Sequence, residues 1–129
     1  MHRTYLIIAA LSGALAVAIG AFGAHGLQRI ASPELVDIYE TGVRYQFYHT
    51  FALLAVGILF HWFPGKLLSF SGLLFIIGIL LFSGSLYLIT FLKAAGKLVA
   101  PGIGIITPVG GLFLIAGWVL LLCGLLTKR

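Results

Sequence analysis

Charge is scarce in this sequence: eight Lys and Arg and only three Asp and Glu stand among 129 residues. A soluble domain carries roughly 25% charged residues. Here 9% are charged while 61% are apolar, too few charges to keep such a surface in water. Cysteine occurs once, as Cys123 inside an apolar run, which excludes a secreted disulfide scaffold. Basic blocks are missing too. The formal charge of +5 comes from the shortage of acids, and this argues against a nucleic-acid partner. Proline is confined to positions 33, 64, 101 and 108, so long apolar stretches run unbroken. The length allows one domain, and the composition is that of an integral membrane protein.

A membrane-crossing helix needs about 20 mainly apolar residues. Four stretches qualify, 5–24, 45–63, 67–92 and 103–126, and none contains Asp, Glu, Lys or Arg. Continuous apolar runs without period-2 alternation select helices over barrel strands. The expected fold is therefore all-α: a single transmembrane four-helix bundle over residues 1–129. The first stretch is too long for a typical signal-peptide core and reads as a retained span.

The polar link between the first two spans carries helix signals. Gly26 stands where a C′ glycine belongs, with Arg29 near the last carbonyls. Ser32-Pro33-Glu34 reads as N-cap, N1 proline and first-turn acid. The helix from Pro33 is expected to run straight into the second span and stop before Pro64-Gly65. At 1.5 Å per residue it measures about 45 Å, longer than the hydrocarbon core. Residues 33–44 then form an amphipathic extension that projects from the membrane or lies on its surface. Asp37, Glu40, Arg44 and Tyr48 fall within about 80° of one another, and Glu40 and Arg44 have the favourable i,i+4 order for an ion pair. Pro64-Gly65-Lys66 makes a tight turn. Pro108 is expected to kink the fourth helix or end an irregular first turn, and a re-entrant segment around 100–107 is the alternative. Orientation is undecided, because Arg3, Lys66, Lys128 and Arg129 balance Arg29, Arg44, Lys93 and Lys97.

Small residues mark helix contacts in lipid. Ser12, Ala16, Gly20 and Ala24 recur at steps of four; Ser71, Gly78 and Ser85, and Gly110, Gly117 and Gly124, recur at steps of seven. Sevenfold spacing keeps one seam toward a neighbour, so spans three and four are expected to close along these rows. Homo-oligomerisation is the other use for such faces.

Polar residues at membrane depth raise a functional hypothesis by default. His25 ends span one, while Tyr45, Gln46 and His49 open span two within about 100° of arc. Antiparallel spans bring His25 and His49 within reach of each other. Two imidazoles suit a metal or haem iron, a proton relay with Gln46 and Tyr45, or a pocket for a lipid or quinone headgroup. The structural alternative leaves His25 as a helix cap and His49 bonded to a neighbouring helix. The serines lack an acid-oriented histidine, so no catalytic constellation is present. The glycines near 20–26 follow a membrane helix, not a strand, and the dinucleotide-loop reading fails.

Four ordered motifs add a resemblance. Gly20-Ala21-Phe22-Gly23-Ala24-His25-Gly26-Leu27, Tyr45-Gln46-Phe47-Tyr48-His49, Phe82-Ser83-Gly84-Ser85-Leu86-Tyr87, and Ile106-Thr107-Pro108-Val109-Gly110-Gly111 with Gly117-Trp118 resemble the YgdD/YwdK family of small bacterial membrane proteins, a domain of unknown function. The resemblance spans essentially the whole chain. It implies four transmembrane helices in the bacterial cytoplasmic (inner) membrane, and it brings no established activity or cofactor. Joined to the residue reading, it gives an expected polar pocket near one membrane face, lined by His25, Tyr45, Gln46, His49, Ser83, Ser85, Tyr87 and Thr107. The expected function is non-catalytic binding of a lipid headgroup or other small ligand, with membrane lipids as partners. The rivals are an accessory or assembly subunit of a larger, respiratory-type membrane complex, and an oligomeric channel or transporter.

Overall fold

The computed structural model describes residues 1–127. Four long helices follow one another: α1 (Arg3–His25), α2 (Pro33–Leu59), α3 (Lys66–Ala94) and α4 (Pro101–Leu126), with a 3-10 turn at Leu27–Arg29 after α1. No strand occurs among the described residues. By length and composition α1, α3 and α4 are each able to cross a membrane. The first half of α2 holds Glu34, Asp37, Glu40 and Arg44, leaving residues 46–59 as its apolar part, fewer than the roughly 20 a span requires.

Local chemistry sets the helix ends. Ser32 caps α2 as expected, its hydroxyl accepting from Leu35 N at 3.3 Å, with Pro33 in the first turn. Helix α2 stops at Leu59, and residues 60–63 close the turn, so the helical part of the expected 45–63 span is four residues shorter. Gly26 is not a left-handed cap: its φ is −81° and the chain continues into the 3-10 turn. What excludes a side chain there is the Phe22 ring, 2.6 Å from where a Cβ would stand. The left-handed glycine is Gly96, φ 71°, after α3. There Lys97 N donates to Leu92 O and Gly96 N to Lys93 O, the paired bonds of a Schellman end. Residues 101–107 are regular helix, so the re-entrant alternative is not adopted. Pro108 sits inside unbroken α4, where its missing N–H takes one bond from the ladder.

Three extensive interfaces join chain neighbours: α1 with α2, α2 with α3, and α3 with α4. The α3–α4 seam follows the glycine rows. A Cβ on Gly110 would strike the backbone of Phe82, one on Gly78 would strike Leu114, and one on Gly117 would meet Phe75 at 2.8 Å. Ser71 donates across the seam to Gly117 O at 2.7 Å. These contacts let the helices approach closely, the arrangement by which small residues replace a hydrophobic driving force in lipid.

The register of α1 on α2 locates the first turns of α2. Leu6 lies against Gly57, Thr50 against Gly13, Val43 against Gly20 and Tyr39 against Gly23. Residues 39–44 therefore run beside the end of α1, and only the start of α2 reaches past it, where Val36 packs in one cluster with Leu27. The connection from Gly26 to Ser32 is coiled into the 3-10 turn at Leu27–Arg29 rather than extended, and it brings the start of α2 back beside the end of α1.

Candidate functional site

The polar residues of α2 divide between two sides of that helix. On the side toward α1 and α3, Gln46 is the central residue of α2 and 5% exposed. Its Nε2 donates to Ser12 O at 3.0 Å, and its Oε1 accepts from Tyr87 Oη at 2.7 Å. Ser12 Oγ meets Thr50 Oγ1 at 2.7 Å, and Ser83 donates to Gly42 O at 2.6 Å. One amide thus joins α1, α2 and α3, from the middle of α2 to near the middle of α1 and the last third of α3. Among the described residues no buried side-chain polar atom lacks a partner, as a low-dielectric interior demands. Replacing Gln46 by leucine leaves Tyr87 Oη without its acceptor and removes the second bond to Ser12 O, which keeps its place in the α1 ladder. A loss of about 1–2 kcal/mol is expected, since hydrogen bonds between membrane helices are worth about that or less. Unfolding in mixed micelles measures it, and Gln46→Glu, which keeps an acceptor for Tyr87, should recover part.

On the other side, His49 is 6% exposed and both its ring nitrogens are engaged. Nδ1 lies 2.7 Å from Tyr45 O, and Trp118 Nε1 donates to Nε2 at 3.1 Å. A carbonyl only accepts and an indole N–H only donates, which fixes the neutral Nδ1–H tautomer. Phe75 and Trp118 wall the imidazole, with ring centroids 5.7 and 6.1 Å away. Tyr45 packs on Phe82 at 4.6 Å. His25 is exposed at the end of α1, and His49 has no free nitrogen to offer it, so the expected pairing of the two histidines does not form. Among the described residues no three His, Cys, Asp or Glu gather as a metal site.

Ser85 and Thr107 form a third group, bonded to each other at 2.5 Å between α3 and α4. The eight residues expected to line one pocket therefore fall into separate clusters. Gln46, Ser83 and Tyr87 meet, Tyr45 and His49 meet, Ser85 and Thr107 meet, and His25 stands apart. The surface ion pair also changes partner. Arg44 reaches Asp37 at 3.7 Å and Thr41 Oγ1 at 3.3 Å, not Glu40. A long side chain on a helix leans toward the N-terminus, and Asp37, seven residues back, lies within about 20° of Arg44 around the axis while Glu40 lies about 40° away. At 52% and 76% side-chain exposure this pair adds little stability.

Sequence reasoning missed Ser12 and Thr50 as members of the network and Trp118 as the partner of His49. A serine inside an apolar run was the available signal for Ser12, and it served only as a packing mark.

Between α1 and α3, over the Gln46 network, lies a hollow of about 300 Å³. Leu11, Leu15, Ile76 and Leu80 form its walls, with Ser12, Gln46, Ser83 and Tyr87 at the floor. Gly84 borders it, and a Cβ there would meet nothing within 4 Å. The hollow stands at mid-helix, deeper than the membrane-face pocket that the sequence suggested.

The sequence pattern of the family described as a protein of unknown function, DUF423, matches residues 19–111. The UPF0382 membrane protein of Haemophilus influenzae is 43% identical, with 96% of this chain and 94% of that protein covered. That of Staphylococcus saprophyticus is 38% identical over 95% and 96%, and that of Staphylococcus aureus (strain bovine RF122) 37% over 93% of each. No solved structure matches. These relatives carry the UPF0382 designation, not the YgdD/YwdK one, and neither designation comes with an activity. With this level of identity along nearly the whole chain, and three helices able to span a bilayer, the protein belongs to the DUF423/UPF0382 family of membrane proteins of unknown function.

Proposed function

We propose that the protein is a non-catalytic, four-span protein of the bacterial cytoplasmic membrane, and that it holds a hydrocarbon-rich ligand in the groove between α1 and α3. The hollow above Gln46 carries this reading. It has apolar walls, it is open to the lipid side, and its volume lies at the lower end of ligand pockets, which run from roughly 300 to 1,000 Å³. The floor groups already satisfy one another, so a guest gains contact with the walls without having to supply polar partners. Four spans follow if residues 46–59, with the turn after them, complete a crossing beside α1. Arg44, two residues before this segment, extends toward Asp37 and the membrane face, as long cationic side chains do.

Gly84→Phe tests the site without straining the fold, because the space beside Gly84 is open. Native mass spectrometry of protein gently extracted from its own membrane is expected to find a lipid on the wild type and at least tenfold less on the variant, both equally stable. Equal lipid occupancy in the two proteins sinks the proposal.

A second reading, a subunit docked in a larger membrane complex, is favoured by the exposed strip of Asp37, Arg44 and Tyr48 on the outer face of α2. Of these, Arg44 lies beside the apolar end of α1, where charge is costly. A stoichiometric protein partner, retained in mild detergent and lost on Arg44→Glu, would support it over ligand binding.

A further inference from the structure

The groove continues past the hollow described above. A second hollow, of about 350 Å³, adjoins it and shares Ile19 and Tyr87. Its other walls are Ala18, Phe22, Tyr39 and Phe91. The two together run from Ile8 to Phe22 of α1, about 21 Å at helical rise. The deep part is aliphatic and the end nearer the terminus of α1 is aromatic. We infer that the groove takes a neutral lipid whose long hydrocarbon tail fills the deep part and whose head is a flat unsaturated ring. This rests on the groove reading proposed above and names the class of ligand.

The lining dictates the head chemistry. It holds no Lys, Arg, Asp, Glu or His. Its two phenols donate elsewhere, Tyr39 to Ile19 O at 2.6 Å and Tyr87 to Gln46 Oε1 at 2.7 Å. A phosphate drawn into this end would lose hydration and gain neither a cation nor a free donor. A quaternary ammonium prefers to be enclosed by ring faces, and the most central ring, Tyr39, is 2% exposed and packed edge-on by Phe91 at 87°. The accessible rings are Phe22 and Phe91, each over 40% exposed, with centroids 6.0 Å apart and planes inclined by only 30°. Two adjacent, exposed aromatic rings offer π surface to a flat ring, and offset-stacked or edge contact is what such rings favour.

The test uses the purified full-length protein in detergent with three probes: menaquinone-4 (a naphthoquinone on a prenyl tail), hexadecanol, and a dipalmitoyl phosphatidylcholine. Menaquinone-4 is expected to bind one to one and most tightly, with affinity falling roughly three- to tenfold in Phe22→Leu and in Phe91→Leu. Hexadecanol binding should ignore both leucine variants, while Gly84→Phe should abolish binding of both probes. If Gly84→Phe does not fold, Leu80→Trp, at a 68% exposed wall position, blocks the same space. The inference is overturned if menaquinone-4 binds no tighter than hexadecanol, if phosphatidylcholine binds best, or if the leucine variants leave menaquinone-4 unaffected. Those results spare the groove itself so long as hexadecanol still senses Gly84→Phe. If no probe senses either blocking variant, the groove reading and this inference fall together.

Discussion

Gly110→Ala is expected to force α3 and α4 apart and lower stability by about 3 kcal/mol, the upper end of the range for an inserted methyl in a filled core. The added Cβ would strike the backbone at Phe82 and stand 2.9 Å from Leu81 C. Backbone cannot rotate aside as a side-chain tip can, so the whole seam must open. That would lengthen the Ser71–Gly117 and Ser85–Thr107 hydrogen bonds, which hold the same interface. Gly104→Ala, on the same helix with nothing within 4 Å, is the control and should be nearly neutral. Unfolding of both variants in mixed micelles decides the matter. A Gly110→Ala protein as stable as Gly104→Ala would mean that the seam is not closed at Gly110.

Phe75→Ala should cost about as much or more, roughly 3–5 kcal/mol for an emptied aromatic site. Phe75 is fully buried, fills the space left by Gly117, and packs on Trp118 with centroids 5.3 Å apart. It also supports the ring of His49. Removing it leaves a cavity beside the Trp118–His49 hydrogen bond, so the tryptophan emission should shift as the indole loses its fixed surroundings. Phe75→Leu keeps most of the volume and should lose about half as much. Losses under about 1 kcal/mol for the alanine variant, with unchanged emission, would show that the α2–α4 contact is not organised around this ring.

The helices and their seams were legible because they depend on local pattern. Ser32-Pro33-Glu34 announces a helix start whatever packs on it, and glycines seven apart on α4 present one face to any neighbour. The candidate site was legible only in part. Gln46 and Tyr87 stood out as polar groups in apolar spans, but Gln46 meets Ser12 across 34 residues of chain and Tyr87 across 41. Tyr45, Gln46 and His49 share an arc of about 100°, which is wide enough on a buried helix to face two different neighbours. Gln46 turns toward α1 and the Tyr87 end of α3, His49 toward α4 and the Phe75 ring of α3, and helical spacing alone does not separate them.

The sequence by itself determined the membrane class, the four helices, the Ser32 cap and the α3–α4 seam, since hydropathy and small-residue period act within single helices. The tertiary structure decided the remainder. The 3-10 turn after α1 laid residues 39–44 beside the end of that helix. It also assigned Gln46 to a three-helix network and His49 to Trp118, leaving a groove between α1 and α3. Each of these outcomes depends on how far one helix slides and turns against another. That choice is made by side chains far apart in the chain, because a buried polar group is stable only where a partner from another helix reaches it.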